Sequence, residues 1–289
     1  MQSKTTINCA DGVALKATIY SPEKSVAKTH ATVVIAAALG VPQTFYTDFA
    51  SFCCSQGVRC LTLDYRGTYT EIPVDNSSAN FRLAEWGAKD INAAIDYCKQ
   101  WPEPVHLIGH SIGGQVVSLA KNSVQLESIS LVAASAPYWR RWQFPQNILM
   151  LISSHLLFPL VTRFSKSFNS KTFGLGTLTM PSQLIRDWAH WMRYPDYLFS
   201  KKLELDTSAS GRLKCPIFSY LISDDNLAPE ANIRHLNQYF DSATLKLIRI
   251  VPKDLHVKSI GHSGLFRKKV GGAYWQTMIS HMTKGDTAT

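Results

Sequence analysis

Short apolar runs alternate with helical patterns along most of this chain. This alternation limits the folds that the chain can adopt more than any other feature of the sequence. Eight segments have the length and composition of strands, at residues 4–9, 13–20, 31–37, 58–63, 105–108, 128–134, 216–222 and 244–250. The first two form a hairpin across the turn pair Asp11-Gly12, and the next run is typical of a strand buried on both faces. A hairpin followed by strand–helix units predicts an α/β fold with a mainly parallel, eight-stranded sheet covered by helices.

Residues 137–210 depart from this rhythm. They are rich in Trp, Phe, Tyr, Arg and Pro and are expected to form helices and loops. We therefore predict a core of residues 1–136 and 211–289, with residues 137–210 inserted as a helical cap above the carboxyl ends of the strands. The apolar run at 148–161 is shorter than the roughly 20 residues a spanning helix needs and contains Pro159. We predict no transmembrane segment, and contact of this run with a membrane surface stays open.

Composition and charge exclude several classes of protein. Of 289 residues, 18% are charged and 45% hydrophobic, which is ordinary for a globular chain and argues against disorder. The 30 basic and 21 acidic residues leave a net charge of +9. The basic residues are spread along the chain and no nucleic-acid-binding motif is present, so we expect no nucleic-acid partner.

The cysteines and the first residues indicate where the protein works. The six cysteines show no zinc-like spacing, and the opening residues contain no apolar run of the kind a secretory signal has. We expect reduced thiols and a cytoplasmic protein. No histidine stands at ligand spacing from a cysteine or carboxylate, so neither a metal nor another cofactor is predicted.

The run Gly109-His110-Ser111-Ile112-Gly113 identifies a candidate nucleophile. The pattern Gly-x-Ser-x-Gly alone is weak evidence, but here it follows a predicted buried strand and opens a predicted helix. In that setting the serine occupies a strained strand-to-helix turn, and small neighbours are needed because the backbone approaches closely there. We predict that Ser111 is the nucleophile of an acyl-transfer reaction.

A serine hydroxyl needs a base and a group that orients the base, and in this architecture the chain order is serine, acid, histidine. Asp224 and Asp225 both follow the strand after the insertion, and Asp225 is preferred because it stands four residues before Pro229. An alternative role for either aspartate is to cap the helix at Pro229. His262, between Gly261 and Ser263, is preferred over His256 as the base.

Two backbone N–H groups are expected to bind the oxyanion that develops during the reaction. One belongs to Ile112, the residue after the nucleophile. The other is assigned to Leu39 in the loop after the first buried strand, with an uncertainty of one residue.

With these residues in view, the chain resembles the α/β-hydrolase superfamily, and within it bacterial hydrolases related to serine esterases and lipases. The resemblance rests on residues 38–46, 63–67, 109–114, 187–198, 224–225 and 261–267. It implies the triad Ser111, Asp225 and His262. One departure is Ala37-Ala38 at the oxyanion loop, where many members have His-Gly, which makes this loop more apolar.

The function expected is hydrolysis of a carboxylic ester or thioester through an acyl-enzyme, without a cofactor. The apolar and aromatic residues of 138–168 suggest a small-molecule substrate with an apolar acyl or alcohol part. Acyl transfer or peptide cleavage by the same triad is an alternative. A non-catalytic binding protein on a degenerate hydrolase fold is another, which the presence of all three triad candidates disfavours.

Overall fold

The eight-stranded sheet predicted from the sequence is present in the computed structural model, which describes residues 1–23, 29–68 and 80–284. The strands are β1 Gln2–Asn8, β2 Ala14–Tyr20, β3 Ala31–Ala36, β4 Val58–Leu63, β5 Val105–His110, β6 Ser128–Val132, β7 Ser167–Asn169, β8 Thr179–Pro181, β9 Ile217–Ile222 and β10 Leu245–Ile250. The large sheet has the order β1-β2-β4-β3-β5-β6-β9-β10. Both pairings of β2 are antiparallel and the rest are parallel, which confirms the predicted fold class.

The centre of the sheet is apolar on both faces. Every residue of β3, β6 and β9 is buried, as expected for parallel strands covered by helices on each side. β5 lies between β3 and β6, with Ala36 opposite Gly109 and Val132 opposite His110. The residue that follows β5 is Ser111, so the predicted nucleophile stands at the middle of the carboxyl edge, where open α/β sheets bind ligands.

Helices cover the sheet and fill the insertion. They are α1 Thr47–Ser55, α2 Leu83–Glu85, α3 Asn92–Cys98, α4 Ile112–Gln115, α5 Gln146–Ile152, α6 Phe158–Arg163, α7 Ser182–Trp191, α8 Glu230–Asn237, α9 Lys268–Gly271 and α10 Trp275–Lys284. Among the residues that the structure describes, no helix is long and apolar enough to cross a membrane.

The helix predicted to open at Ser111 is short and irregular. It is α-helical only through α4 and continues as a 3₁₀ helix at Val116–Leu119. A π-helical turn, Trp86–Ile91, joins α2 to α3 and packs on this segment. A Cβ at Gly87 would meet the carbonyl oxygen of Val116, so backbone contact between two irregular segments replaces the regular helix that the sequence pattern predicted.

The insertion between β6 and β9 contains strands as well as helices. β7 and β8 pair antiparallel, with Phe168 opposite Met180 and both side chains buried. The predicted helices are present in residues 137–210, and β7 and β8 are strands that the sequence analysis did not predict. Strands of three residues are too short to show a two-residue alternation, so the sequence pattern could not reveal them.

A buried arginine fastens the first hairpin to the helical layer. The Arg66 guanidinium is 1% exposed and lies 2.7 Å from Asp90 and 2.8 Å from Asp11. Asp90 also accepts the backbone N–H of Arg66. These contacts give Arg66 a bracing part in the fold.

Candidate active site

Ser111 occupies a strained turn between β5 and α4. Its φ of 53° and ψ of −119° lie where few non-glycine residues are found. The turn is possible because its neighbours lack side chains: a Cβ on Gly113 would meet the carbonyl oxygen of Ala36, and one on Gly109 would meet Gly114. The strain is typical of turns that present a nucleophilic serine to a ligand above the sheet.

Two backbone N–H groups near Ser111 are free to bind a ligand. Within residues 1–23, 29–68 and 80–284, no group accepts a hydrogen bond from the N–H of Leu39 or of Ile112. The neighbouring N–H of Ala38, in contrast, donates to the Tyr46 hydroxyl at 2.9 Å. This arrangement favours Leu39 over Ala38 as the second oxyanion donor.

His262 and Asp225 form a short hydrogen bond. The Nδ1 atom of His262 lies 2.7 Å from Oδ2 of Asp225, whose side chain is 1% exposed. The other carboxylate oxygen of Asp225 accepts the N–H groups of Leu227 and Ala228 at 2.8 and 3.2 Å. When a neutral imidazole donates from Nδ1, its basic lone pair is on Nε2, which is the arrangement a general base needs.

Asp224 serves the same loop in another way. Its two carboxylate oxygens accept the backbone N–H groups of Ile260 and Gly261, at 2.8 and 3.1 Å. Gly261 has a φ of 62°, a left-handed conformation that glycine adopts without strain. The first aspartate therefore holds the backbone just before His262, while Asp225 holds its ring. The N-terminal residue flanking α8 is Pro229, with no side-chain cap.

His110, the residue before Ser111, makes hydrogen bonds to two separate segments of the site. Its Nδ1 accepts the Tyr46 hydroxyl at 2.8 Å, and its Nε2 donates to the carbonyl of His262 at 2.9 Å. Burial, with a smaller contribution from nearby His262, lowers the pKa of His110 to about 3. The neutral ring thus connects the loop at Ala38 with the backbone of His262, a link between distant segments that leaves no signal in the sequence.

A pocket of about 450 Å³ opens above the nucleophile. Ser111, His262 and Leu39 line it together. Residues 137–210 supply part of its apolar wall, through Trp142, Met150, Trp188 and Met192. The pocket can therefore hold a ligand with a sizeable apolar part next to the predicted triad.

Other histidines lie apart from this pocket. His256 is exposed at the end of a 3₁₀ helix and does not line the pocket. His106 is buried within β5 and hydrogen-bonds to Ser128. In the described part of the chain, no group of three or more His, Cys, Asp or Glu side chains is arranged to hold a metal ion.

Comparison with solved structures shows the same architecture in several esterases. EaEST, an esterase from Exiguobacterium antarcticum, superposes with a TM-score of 0.59 at 15% identity over 97% of this chain and 99% of its own. A thermostable carboxyl esterase from Bacillus coagulans gives 0.61 at 14% identity, with 98% and 99% coverage. A thermophilic esterase from Thermogutta terrifontis gives 0.60 at 13% identity, with 99% and 100% coverage. At these identities the likeness establishes the fold.

Sequence comparison supplies the family. A search of curated proteins gives no significant match. Residues 33–263, however, match the profile of the alpha/beta hydrolase family, a span that runs from the third strand through Ser111 to the loop holding His262. The resemblance inferred from the motifs is confirmed, and the chain belongs to the alpha/beta hydrolase family.

Proposed function

We propose that this protein is a serine hydrolase that cleaves a carboxylic ester or thioester with an apolar acyl or alcohol part. The observation that carries the proposal is the 2.7 Å contact between His262 and Asp225 in a loop whose histidine lines one pocket with Ser111. A strained serine, an oriented imidazole and two free N–H groups together meet the requirements of acyl transfer.

Acylation begins when Ser111 Oγ attacks the carbonyl carbon and passes its proton to Nε2 of His262. The oxyanion that forms accepts hydrogen bonds from the N–H groups of Leu39 and Ile112, and Asp225 stabilises the imidazolium. Collapse of the tetrahedral intermediate expels the alcohol or thiol, which takes the proton from His262. Ser111 is left as an ester of the acyl group.

Deacylation repeats the sequence with water. His262 removes a proton from the water as it attacks the acyl carbonyl, and a second tetrahedral intermediate forms at the same two N–H groups. Its collapse breaks the bond to Ser111 Oγ, which recovers its proton from His262, and the carboxylic acid leaves. No cofactor is needed in either half.

The apolar wall of the pocket supports the choice of substrate. We assign residues 137–210 as a cap over the site, since Trp142, Met150 and Trp188 all line the pocket. Burial of apolar substrate area against them contributes about 25 cal/mol for each Å². Longer or bulkier apolar esters should therefore bind more tightly than acetyl esters, until the pocket is filled.

A panel of p-nitrophenyl esters and matching thioesters of increasing acyl length tests the proposal. We expect wild type to hydrolyse the panel with kcat/KM rising over the first members, and Ser111→Ala to lose turnover by about 10⁴-fold or more. Uniform inactivity of wild type, or equal rates in Ser111→Ala, would contradict the proposal. A product analysis with added alcohols separates hydrolysis from acyl transfer.

A further inference from the structure

Large apolar side chains are exposed along one stretch of the insertion. We call this set the apolar stripe; it consists of Phe144, Ile148, Leu149, Ile152, Leu156, Leu160 and Phe164. Phe144 and Phe164, at its two ends, are each 80% exposed. Elsewhere in the described chain the comparably exposed large apolar side chains are scattered, at Met1, Val124 and Leu227. A concentrated apolar surface of this kind marks a binding face.

Helix geometry keeps most of the stripe on one side. α5, a π-helical turn at Ser153–Leu157 and α6 follow one another without a break. Most residues of the stripe follow one another at intervals of four, and each interval overshoots a full α-helical turn by about 40°. The π-helical turn has more residues per turn, which offsets part of this rotation around the helix axis. The opposite side carries buried residues, among them Ser154, Phe158 and Thr162. The exposed side is about 27 Å long, from the rise of an α-helix over residues 146–163.

The stretch of sequence that contains the stripe carries charge of one sign. Between Glu127 and Asp187 the sequence contains no acidic residue. The same interval holds six basic residues, Arg140, Arg141, Arg163, Lys166, Lys171 and Arg186. Four of them, Arg140, Arg163, Lys166 and Lys171, are exposed. Within this stretch of sequence the charged side chains are therefore all basic.

These features point to one occupant. A second copy of this chain would bring the same basic residues against each other, which disfavours self-association through this face. An anionic bilayer matches both properties, because apolar side chains enter the boundary between headgroups and acyl chains while Lys and Arg pair with lipid phosphates and carboxylates. We propose that this protein binds the surface of a membrane that contains anionic lipids, without spanning it. The apolar stripe and the exposed basic residues of the same segment, Arg140, Arg163, Lys166 and Lys171, form the contact.

Co-sedimentation with lipid vesicles tests the docking. Wild type should pellet with vesicles of phosphatidylcholine mixed with phosphatidylserine, bind less to pure phosphatidylcholine, and be released in part as salt is raised. Ser111→Ala should pellet like wild type, because the proposed surface lies outside the triad. Docking therefore stands or falls separately from catalysis. Wild type that stays in the supernatant with both kinds of vesicle would overturn the proposal.

Two pairs of variants separate the apolar from the ionic contribution. Leu156→Ser with Leu160→Ser should weaken binding to the mixed vesicles by about tenfold or more. Arg163→Gln with Lys171→Gln should weaken it about tenfold and lower its salt dependence. The matched controls are Val124→Ser, an exposed apolar residue outside the stripe, and Lys201→Gln with Lys202→Gln, exposed cations outside the acid-free interval. Both controls should bind like wild type.

Two further results would overturn the docking. One is undiminished binding by the Leu156/Leu160 variant when near-UV circular dichroism shows it folded. The other is a concentration-dependent dimer in sedimentation velocity that this same variant abolishes, which would assign the stripe to a second copy.

Discussion

Two adjacent aspartates hold the loop of His262 through different contacts. Only Asp225 contacts the imidazole ring, so it is the one we propose as the triad acid. Asp225 Oδ2 meets the His262 ring, and its Oδ1 accepts two backbone N–H groups. Asp224 accepts two N–H groups of the loop backbone. The sequence placed both residues in the loop after the strand at 216–222 and preferred Asp225 by spacing. The contacts of Asp224 depend on the path of a loop 36 residues later.

Asp225→Asn should abolish most activity while preserving the fold. The side-chain oxygen of the new residue is expected to keep facing the N–H groups of Leu227 and Ala228, which turns its NH₂ group toward His262. Nδ1 must then accept, so Nε2 carries the proton and cannot take one from Ser111. We expect kcat to fall about 10³–10⁴-fold, measured by steady-state ester hydrolysis.

Asp224→Asn is the matched control. It replaces one of two acceptors in a partly buried hydrogen-bonded turn, so we expect a loss of about 1–3 kcal/mol in the free energy of unfolding and a much smaller loss of kcat. Equal kcat losses in the two variants would contradict the assignment of Asp225.

His110 should make the protein sensitive to acid. Its folded pKa of about 3 lies below the ordinary value near 6.5, so between those values the unfolded chain binds a proton that the folded chain does not. The free energy of unfolding then falls by about 1.4 kcal/mol for each pH unit below 6.5.

His110→Gln removes this contribution. Between pH 6.5 and pH 4.5, the free energy of unfolding of this variant should fall by about 2–3 kcal/mol less than the free energy of unfolding of wild type. Urea denaturation of both proteins at the two pH values measures the difference. His256→Gln, which removes an exposed histidine outside the pocket, is the control for losing a histidine. An unchanged pH dependence in the His110 variant would show that the buried ring does not remain neutral.

The strand-to-helix turn after β5 is the element on which the site depends. Its strain is tolerated because β5 and α4 pack backbone to backbone at Gly109 and Gly114, and α4 packs against the carbonyl of Ala36 at Gly113. The sequence indicated this turn well, since the glycines flank the serine between a buried strand and a helix, where the backbone must approach closely. It could not show that α4 ends at Gln115, because that depends on contact with the π-helical turn at Gly87.

Gly113→Ala should disrupt the turn. The added methyl group would contact the carbonyl oxygen of Ala36, and backbone on both sides must shift to relieve it. We expect the free energy of unfolding to drop by about 2–4 kcal/mol. Ester hydrolysis should fall as well, because the N–H groups of Leu39 and Ile112 would move apart and could no longer bind the same oxyanion.

Gly272→Ala is the control for this substitution. Its backbone is right-handed, and a Cβ there meets only Lys268 Cγ at 3.8 Å. It should leave stability unchanged or raise it by a few tenths of a kcal/mol. Equal stability of the two alanine variants would contradict the close approach at Gly113.

Across the chain, the elements with a regular sequence pattern could be predicted, and the features that depend on contacts between distant residues could not. The central strands of the sheet follow from apolar runs such as 31–37 and 216–222, because strands buried on both faces need such runs. The hairpin of β1 and β2 follows from the turn pair Asp11-Gly12. β7 and β8 were missed, since three residues carry no period. The link from Tyr46 through His110 to the His262 carbonyl was also missed, because its hydrogen-bonded partners lie 64 and 152 residues apart.

Which apolar and basic side chains are exposed emerges only in three dimensions. From the sequence, the +9 charge appeared as a diffusely basic surface and the 148–161 run as too short to span a bilayer. The structure buries one side of that run and exposes the other, and four basic side chains of the same acid-free interval are exposed. Within one helical segment, Met150 therefore faces the pocket while the residues of the apolar stripe face outward.

Labelling with a fluorophosphonate tests the central claim most directly, because the probe phosphonylates a serine only where an activated hydroxyl and oxyanion donors meet. The labelled protein would be digested and the modified peptide identified by mass spectrometry. We predict a single modified residue, Ser111, with no labelling in Ser111→Ala and strongly slowed labelling in His262→Ala. Absence of labelling in folded wild type, or modification of another serine that persists in Ser111→Ala, would contradict the proposed nucleophile and the hydrolase mechanism built on it.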